Sequence, residues 1–246
     1  MSSISMILGG EDATWRNKLS IPDPSASEHL MESAEQDELR RYTELPWLIE
    51  TLKTKKITML SPSTWDDKND AHFMDSYRLK RGKKGLLALC LVGVEEQYHH
   101  WKVFAPGPSG VCIVYKKQDL INCLANEEPD ILSGKVRYRT KANLEERPPK
   151  LDQLPFTKQW QYKPDAEYRF ILERDSDQPA HKITISLEAI SRVVLSPWLP
   201  RDTQKIIRDL LKGIPGCDSL ARKVSTAIND PGWMSHATTL IKGDSA

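Results

Sequence analysis

The stretch at residues 41–77, RYTELPWLIETLKTKKITMLSPSTWDDKNDAHFMDSY, decides the predicted fold because its periodicity changes twice within 37 residues. A basic strand end comes first, and leucine and isoleucine then recur at helical spacing at positions 45, 48, 49 and 52. Pro46 suits the first turn of such a helix. Residues 55–60, KKITML, alternate as a strand does. The stretch therefore predicts a strand, a helix and a second strand, followed by an acidic turn.

Strand-like runs dominate the remainder of the chain. Residues 201–214 have the clearest amphipathic helical pattern, and the polar, proline-bearing residues 141–155 are typical of a long surface excursion. Residues 181–186 are expected to pair with 167–173 as a hairpin. We therefore expect an α+β fold, a single domain with a mixed, mostly antiparallel sheet flanked by helices. The predicted later strands are 85–93, 110–116, 134–138, 167–173, 181–186 and 190–196.

The first 37 residues differ in composition from the rest of the chain. They are rich in Ser, Asp, Glu and Pro and lack apolar periodicity, which predicts a flexible or loosely docked N-terminal arm ahead of a single domain at 38–246. The first fifteen residues lack the basic start and cleavage site of a secretory signal. No window approaches the ~18 apolar residues that a membrane span needs. A cytoplasmic protein is expected.

The overall charge is nearly balanced. Thirty-five basic and 34 acidic residues leave a net charge of +1, so no strong global signal for nucleic-acid or membrane binding is present. The four cysteines lack CxxC spacing, which favours buried free thiols over disulfides or a zinc site. They are Cys90, Cys112, Cys123 and Cys217.

Four aspartates, with Asn69 and His72 among them, lie between Trp65 and Phe73 or just beyond. Like charges this close repel, so they need a cation, a donor network or solvent exposure. Helix capping and loop structure, a ligand-binding role and a divalent metal site are the three interpretations, and the spacing lacks the Gly and Glu of a calcium loop. The aspartates are Asp66, Asp67, Asp70 and Asp75, and the predicted substrate or partner loop comprises Trp65, Asp66, Asp67, Asn69 and Asp70.

Two further groups of residues are site candidates. Arg41, Tyr42 and Thr43 precede a helix whose free N–H groups favour an anion such as phosphate, although Arg41 could instead pair with an aspartate. Glu167 shares one strand face with an arginine and a second glutamate, so this face is either the solvent side or the lining of a cleft. Trp101 is a core anchor or a pocket wall. No GxGxxG, P-loop or GxSxG motif is present.

Several segments together resemble a widespread bacterial family of unknown function. They are RYT with the following helix, KKITMLSPSTWDDKNDAHFM, Trp101 ahead of GVCIVYK, VRY, WQYKPDAEYRF and ISRVVLSP, and they span residues 39–200. Typical members have Phe-Asn-Asp-Pro-Phe-Glu where this chain has WDDKND. A Pro-Gly-Pro insertion also precedes Gly110.

The opening of that family is similar to ADP-ribosyltransferase-like folds, and this similarity implies an NAD-using transferase with a role in bacterial defence or conflict. It implies that Arg41, Tyr42 and Thr43 hold NAD, that Tyr77 or Trp101 stacks on nicotinamide, and that Glu167 stabilises the oxocarbenium charge. A small nucleotide ligand is expected, with no metal and an unnamed macromolecular target. The alternatives are a metal-dependent nuclease using Asp66, Asp67, Asp70 and Glu167, or a non-catalytic module that binds a basic partner.

Overall fold

A nine-stranded sheet forms the framework of residues 37–243, which are the residues that the computed structural model describes. Its main path runs β11-β10-β4-β1-β3-β2-β9, while β8 pairs with β3 and β5 pairs with β8. Within this sheet only the β10–β11 pair is parallel. The predicted α+β class with a mixed, mostly antiparallel sheet is therefore confirmed. The strands are β1 (Glu38–Glu44), β2 (Lys56–Leu60), β3 (Gly85–Val92), β4 (Gly110–Lys116), β5 (Leu132–Lys135), β6 (Arg137–Arg139), β7 (Thr157–Gln159), β8 (Glu167–Arg174), β9 (Ala180–Thr184), β10 (Ile190–Leu195) and β11 (Ala221–Val224).

The helices fall on both faces of the sheet. The first begins after Glu44 with Pro46 in its first turn, as predicted. It ends at Thr54, and the next residue, Lys55, has a left-handed φ of 55°. The helices are α1 (Leu45–Thr54), α2 (Lys68–Lys80), α3 (Tyr98–Phe104), α4 (Lys117–Glu127), α5 (Lys141–Glu146), α6 (Arg201–Lys212) and α7 (Pro231–Gly243). None of these helices, within residues 37–243, has the length and apolar character that crossing a bilayer requires.

Alternation along the strands separates two apolar layers. The larger core contains Leu39 of β1, Ile113 of β4 and Phe170 of β8, together with the buried faces of α1 and α4. Smaller clusters on the other face contain Tyr42 and Trp101, and Met74 and Tyr77. Since successive strand residues point to opposite faces, the central strands β1, β3, β4, β8 and β10 contribute to both layers. The second face carries the candidate site.

The sheet pairing differs from the prediction in one respect. β8 does not form a hairpin with β9; it lies between β3 and β5, and β9 instead pairs with β2, with Ile183 opposite Ile57. The predicted strand at 134–138 is divided at Val136, because β5 belongs to the main sheet and β6 pairs with β7 in a separate two-stranded sheet. The hairpin prediction was wrong because the sequences of short strands with similar alternation do not indicate which strands will pair.

Two regions predicted as loops contain helices. The aspartate-rich segment becomes α2, and the excursion at 141–155 contains α5 and most of a 3₁₀ segment at Leu151–Phe156. The four cysteines are free thiols, as expected, but only Cys112 and Cys217 are buried. The predicted arm at 1–37 lies outside the described residues except for Asp37.

Candidate functional site

A cavity of about 260 Å³ opens on the second face of the sheet, where β1, β3 and β8 meet the start of α2. Its walls combine aromatic and aliphatic side chains with two basic groups and four carboxylates, so a mostly apolar surface carries a few converging polar groups, as small-molecule sites usually do. The residues that line it are Arg40, Tyr42, Trp65, Asp67, Asp70, Cys90, Leu91, Val92, Phe104, Lys158, Asp165 and Glu167.

Arg169 is fully buried beneath this cavity and uses all five of its N–H donors. Its Nε donates to Glu167 Oε1 at 2.6 Å and Nη2 to Glu167 Oε2 at 3.0 Å. Nη1 donates to Asp70 Oδ1 and to the Pro155 carbonyl oxygen, both at 3.0 Å, and Nη2 also donates to Asp70 Oδ2. The Trp65 ring covers the guanidinium at 5.2 Å from its centroid. Arg169 therefore joins β8, α2 and the 3₁₀ segment in one rigid arrangement.

Lys158 brings a second cation to the same carboxylates. Its Nζ lies 2.9 Å from Asp165 Oδ2, 3.2 Å from Glu167 Oε2 and 3.9 Å from Asp70 Oδ2. Two cations thus face three carboxylates in a largely buried cluster. The ring of Tyr162 lies 4.6 Å from the ammonium group and shields it from solvent.

Glu167 is ionised at neutral pH. Burial opposes its charge, but the nearby Arg169 and Lys158 outweigh that effect and lower the pKa of the carboxyl to about 2. For Asp70 the balance is reversed, because burial raises the pKa of this carboxyl while Arg169 opposes the rise. The cavity therefore contains at least one carboxylate whose negative charge is held in place.

The backbone immediately before Glu167 is strained. Ala166 has a φ of 45°, a left-handed conformation that costs a non-glycine residue about 1 kcal/mol or more. The N–H of Glu167 then donates to the Tyr138 hydroxyl at 2.7 Å, so the start of β8 is anchored where the chain turns. Together these features aim the Glu167 side chain into the cavity.

Cys90 lies on the cavity floor beside Glu167. Its sulfur can be reached from the cavity, although the dense surroundings and the Glu167 charge raise the pKa of the thiol. A neutral thiol is a poor nucleophile. We therefore assign Cys90 to the wall of the cavity and not to its chemistry.

The four aspartates have different roles. Asp67 caps α2, since its Oδ1 accepts from the N–H groups of Asn69 at 3.1 Å and Asp70 at 3.2 Å. Asp70 points inward to Arg169, whereas Asp75 pairs on the surface with Arg78 at 2.7 Å, and Asp66 is exposed. The cluster therefore combines capping with one buried ion pair. Among residues 37–243, no three His, Cys, Asp or Glu side chains are grouped as a metal site requires.

The arginine that lines the cavity is Arg40, and this corrects the assignment of Arg41. Arg40 and Tyr42 share the cavity face of β1, whereas Arg41 and Thr43 point to the other face, where Arg41 lies near Tyr115. The residue that lines the cavity is thus one position before the predicted residue. Two consecutive arginines contain no signal that would choose between the faces.

Neither predicted stacking residue lines the cavity. Trp101 is fully buried, packs edge-on against Tyr42 at 5.1 Å between ring centroids, and donates to Glu96 at 2.6 Å. Tyr77 is buried and donates to Glu173. The aromatic walls are Tyr42, Trp65 and Phe104. Of the predicted loop, Trp65, Asp67 and Asp70 line the cavity, and Asn69 lines a smaller neighbouring pocket.

Sequence analysis missed Lys158 and Asp165 as site residues. They lie in short 3₁₀ and strand segments that have no periodicity, and only the chain reversal around Pro164 brings them to Glu167. A usable signal was present in β8, because a glutamate and an arginine on one face of an otherwise buried strand require partners from elsewhere in the chain.

A second cavity, of about 380 Å³, shares Arg40 with the first. Arg40 and Arg192 both bind the Glu38 carboxylate, at 3.0 and 2.8 Å, so the Arg192 guanidinium of the second cavity lies close to the shared Arg40. Cys112, Val114, Val194 and Val224 supply the apolar part of its lining, and the remaining lining residues are charged or polar. The residues lining this cavity are Arg40, Glu95, Glu96, Cys112, Val114, Arg192, Val194, Lys223, Val224 and Thr226.

Comparison with known proteins gives distant structural likeness only. No family model matches the sequence, and no curated protein matches it. Structures of Thermus sp. 2.9 DarT are similar in part. The complex with ADP-ribosylated ssDNA has a TM-score of 0.42 at 12% identity and covers 78% of this chain and 95% of that chain. The complex with carba-NAD+ has a TM-score of 0.40 at 11% identity and covers 79% of this chain and 97% of that chain. The complex with NAD+ has a TM-score of 0.40 at 12% identity and covers 78% of this chain and 96% of that chain. Since these TM-scores are low, a function for the chain has to be drawn from the geometry of the site.

Proposed function

We propose that the chain binds NAD across the two cavities that meet at Arg40 and transfers its ADP-ribosyl group to an acceptor. The observation that carries this proposal is the shared arginine. A dinucleotide has two ring-bearing halves joined by an anionic pyrophosphate, and guanidinium groups bind phosphate oxygens in paired hydrogen bonds. Arg40 and the nearby Arg192 suit the pyrophosphate, with one nucleoside half in each cavity.

The first cavity suits the nicotinamide riboside half. Tyr42, Trp65 and Phe104 supply flat apolar walls for a ring. When the bond between ribose C1′ and the nicotinamide nitrogen breaks, nicotinamide leaves with the bonding electron pair and positive charge develops on the ribose. The ionised Glu167 is the carboxylate that would stabilise this charge. The acceptor then forms a bond to C1′ and loses a proton.

The second cavity suits the adenosine half. Its apolar side chains, Cys112, Val114, Val194 and Val224, would contact the adenine ring, and the Glu95, Glu96 and Thr226 side chains are available to the ring amino group and the ribose hydroxyls. Its volume exceeds that of the first cavity, as the larger purine requires.

The binding half of the proposal is tested with two neighbouring substitutions of the same residue type. Arg40→Gln should weaken NAD binding about tenfold or more in isothermal titration calorimetry, because a charged bond to phosphate is lost. Arg41→Gln removes the same charge from the other face of β1 and should leave binding unchanged. Equal effects of the two variants, or no binding of NAD by the wild type, would overturn the proposal.

The catalytic half is tested by release of nicotinamide. Glu167→Gln should abolish release from NAD and retain binding, since the uncharged amide still fits the site but cannot stabilise positive charge. NAD binding by the wild type without nicotinamide release would favour a non-catalytic binding module over a transferase. The nuclease alternative requires carboxylates that are free to hold metal ions. Asp67 and Asp70 line the same cavity as Glu167, but Asp67 caps α2, Asp70 is held by Arg169, and Asp66 is exposed.

A cytoplasmic location and a role in bacterial defence or conflict stay predictions. Both are checked by induced expression in bacterial cells followed by fractionation, growth measurement and assay of the cellular NAD pool. Growth arrest with a fall in NAD that Glu167→Gln prevents is the expected result. Unaltered growth and NAD with abundant folded protein would contradict the defence role.

A further inference from the structure

A further cavity, of about 490 Å³, lies along α2 and is not lined by Asp70. Five α2 residues at helical spacing form one wall, namely Lys68, Ala71, His72, Asp75 and Arg78. Ser61 and Ser63 form a second wall, and Lys84 and Asp177 form the third. None of these residues lines either cavity of the proposed NAD site.

The charges in this cavity leave its cations available to a ligand. Asp75 is bound by Arg78 through two hydrogen bonds of 2.9 and 2.7 Å, so these two charges compensate each other. The Lys68 ammonium donates at 2.7 Å to the Trp65 carbonyl oxygen, which is uncharged. Lys84 makes no ion pair with any residue between 37 and 243. Among residues 37–243, Lys68 and Lys84 therefore form no ion pair, and of the two lining carboxylates, Asp75 is paired with Arg78 and Asp177 is not paired.

The neutral groups also suit an anion that carries a small body. The Ser61 and Ser63 hydroxyls are hydrogen-bonded to each other at 2.9 Å, so the hydroxyl that accepts this bond can donate its own proton to an oxygen in the cavity. The floor consists of Met74 and Leu86, which are buried and apolar. Ammonium groups and hydroxyls around an apolar floor match a phosphate group attached to a ring.

We propose that this cavity is a second ligand site, which binds a small phosphomonoester with its phosphate at Lys68, Lys84 and the hydrogen-bonded serine pair. The body of the ligand lies on Met74 and Leu86. This site is distinct from the proposed NAD site, because the two have no lining residue in common.

The test uses the whole chain and two probes, phenyl phosphate and inorganic phosphate, in isothermal titration calorimetry. Lys84→Gln and Lys68→Gln should each weaken binding of phenyl phosphate about tenfold, because each removes a charged bond to the phosphate. Both lysines are exposed, so the variants should keep the wild-type thermal midpoint. Inorganic phosphate should bind more weakly than phenyl phosphate, since it makes no contact with the floor.

Two controls separate this site from general charge effects and from the first cavity. Lys80→Gln removes the same charge from an exposed position on α2 outside the cavity and should change binding less than twofold. Arg40→Gln should also leave phenyl phosphate binding unchanged. The proposal is overturned if the wild type shows no saturable binding, if Lys80→Gln weakens binding as much as Lys84→Gln, or if Arg40→Gln abolishes it. None of these outcomes depends on whether NAD binds.

Discussion

Arg169 shows how one buried side chain can organise a site. Its five donors hold Glu167, Asp70 and the Pro155 carbonyl, so its removal leaves two carboxylates in the interior with only Lys158 as a partner. Uncompensated buried charge is more costly than the loss of an exposed pair. The guanidinium therefore acts on the shape and on the charge of the cavity at once.

We predict that Arg169→Met lowers the free energy of unfolding by about 3–5 kcal/mol, as measured by urea denaturation. The matched substitution Arg147→Met, at an exposed pair with Glu146, should change it by less than about 0.5 kcal/mol. Similar values for the two variants would mean that the buried network contributes nothing to stability.

Glu167 makes stability depend on acidity in a defined direction. The pKa of its carboxyl falls from an ordinary 4.5 to about 2 on folding, so the charge stabilises the fold above about pH 4.5, and this contribution is lost as the pH falls toward 2. Asp70 acts in the opposite sense because burial raises the pKa of its carboxyl. A variant at Glu167 is therefore needed to isolate its effect.

The difference in unfolding free energy between the wild type and Glu167→Gln should narrow by about 3 kcal/mol between about pH 5 and about pH 2. Urea denaturation at a series of pH values measures it. A difference that stays constant over this range would show that Glu167 does not change its proton affinity on folding.

At the scale of elements, α2 contributes to both proposed ligand sites. Its Asp70 pairs with Arg169 and its Lys68 lines the phosphomonoester site, while its start is held by the Asp67 cap. The position of Trp65 over Arg169 is set by the same turn. A loose start of this helix would therefore disturb both sites.

Asp67→Ala should reduce the free energy of unfolding by about 1 kcal/mol, the usual cost of losing a side-chain cap. The adjacent Asp66→Ala removes an exposed carboxylate that caps nothing and should change stability by less than about 0.5 kcal/mol. Chemical denaturation of the two variants in parallel is the measurement. Equal destabilisation would show that the cap contributes nothing beyond charge.

At the scale of the whole molecule, the last helix contributes little to the fold. The side chains of residues 231–241 in α7 are all exposed, whereas β11 pairs with β10 over four residues. We expect a chain truncated after Asn229 to have a free energy of unfolding within about 0.5 kcal/mol of that of the full chain. Truncation after Leu220, which also removes β11, should lower the free energy of unfolding by about 2 kcal/mol or more. Urea denaturation measures both. Strong destabilisation by the first truncation would contradict this account.

The fold could be predicted further than the site. Continuous apolar runs such as 110–116 became strands almost residue for residue, because burial on both faces leaves an unmistakable pattern. The helix α2 was missed because its polar residues suit turns equally well, and its stability comes from the cap and from Met74 and Tyr77 in the interior. Lys158 and Asp165 could not be placed, because contacts distant in sequence bring them to Glu167.

The site joins residues far apart in the chain, since Asp70 and Arg169 are separated by 99 positions. During synthesis a ribosome completes β1, α2 and β3 long before it adds Lys158, Glu167 or Arg169. A nascent or prematurely terminated product that stops ahead of β8 thus carries the aromatic walls without Glu167 and Arg169. Any activity of this cavity must begin after translation has passed β8, so a chain that is still being made has none before that point.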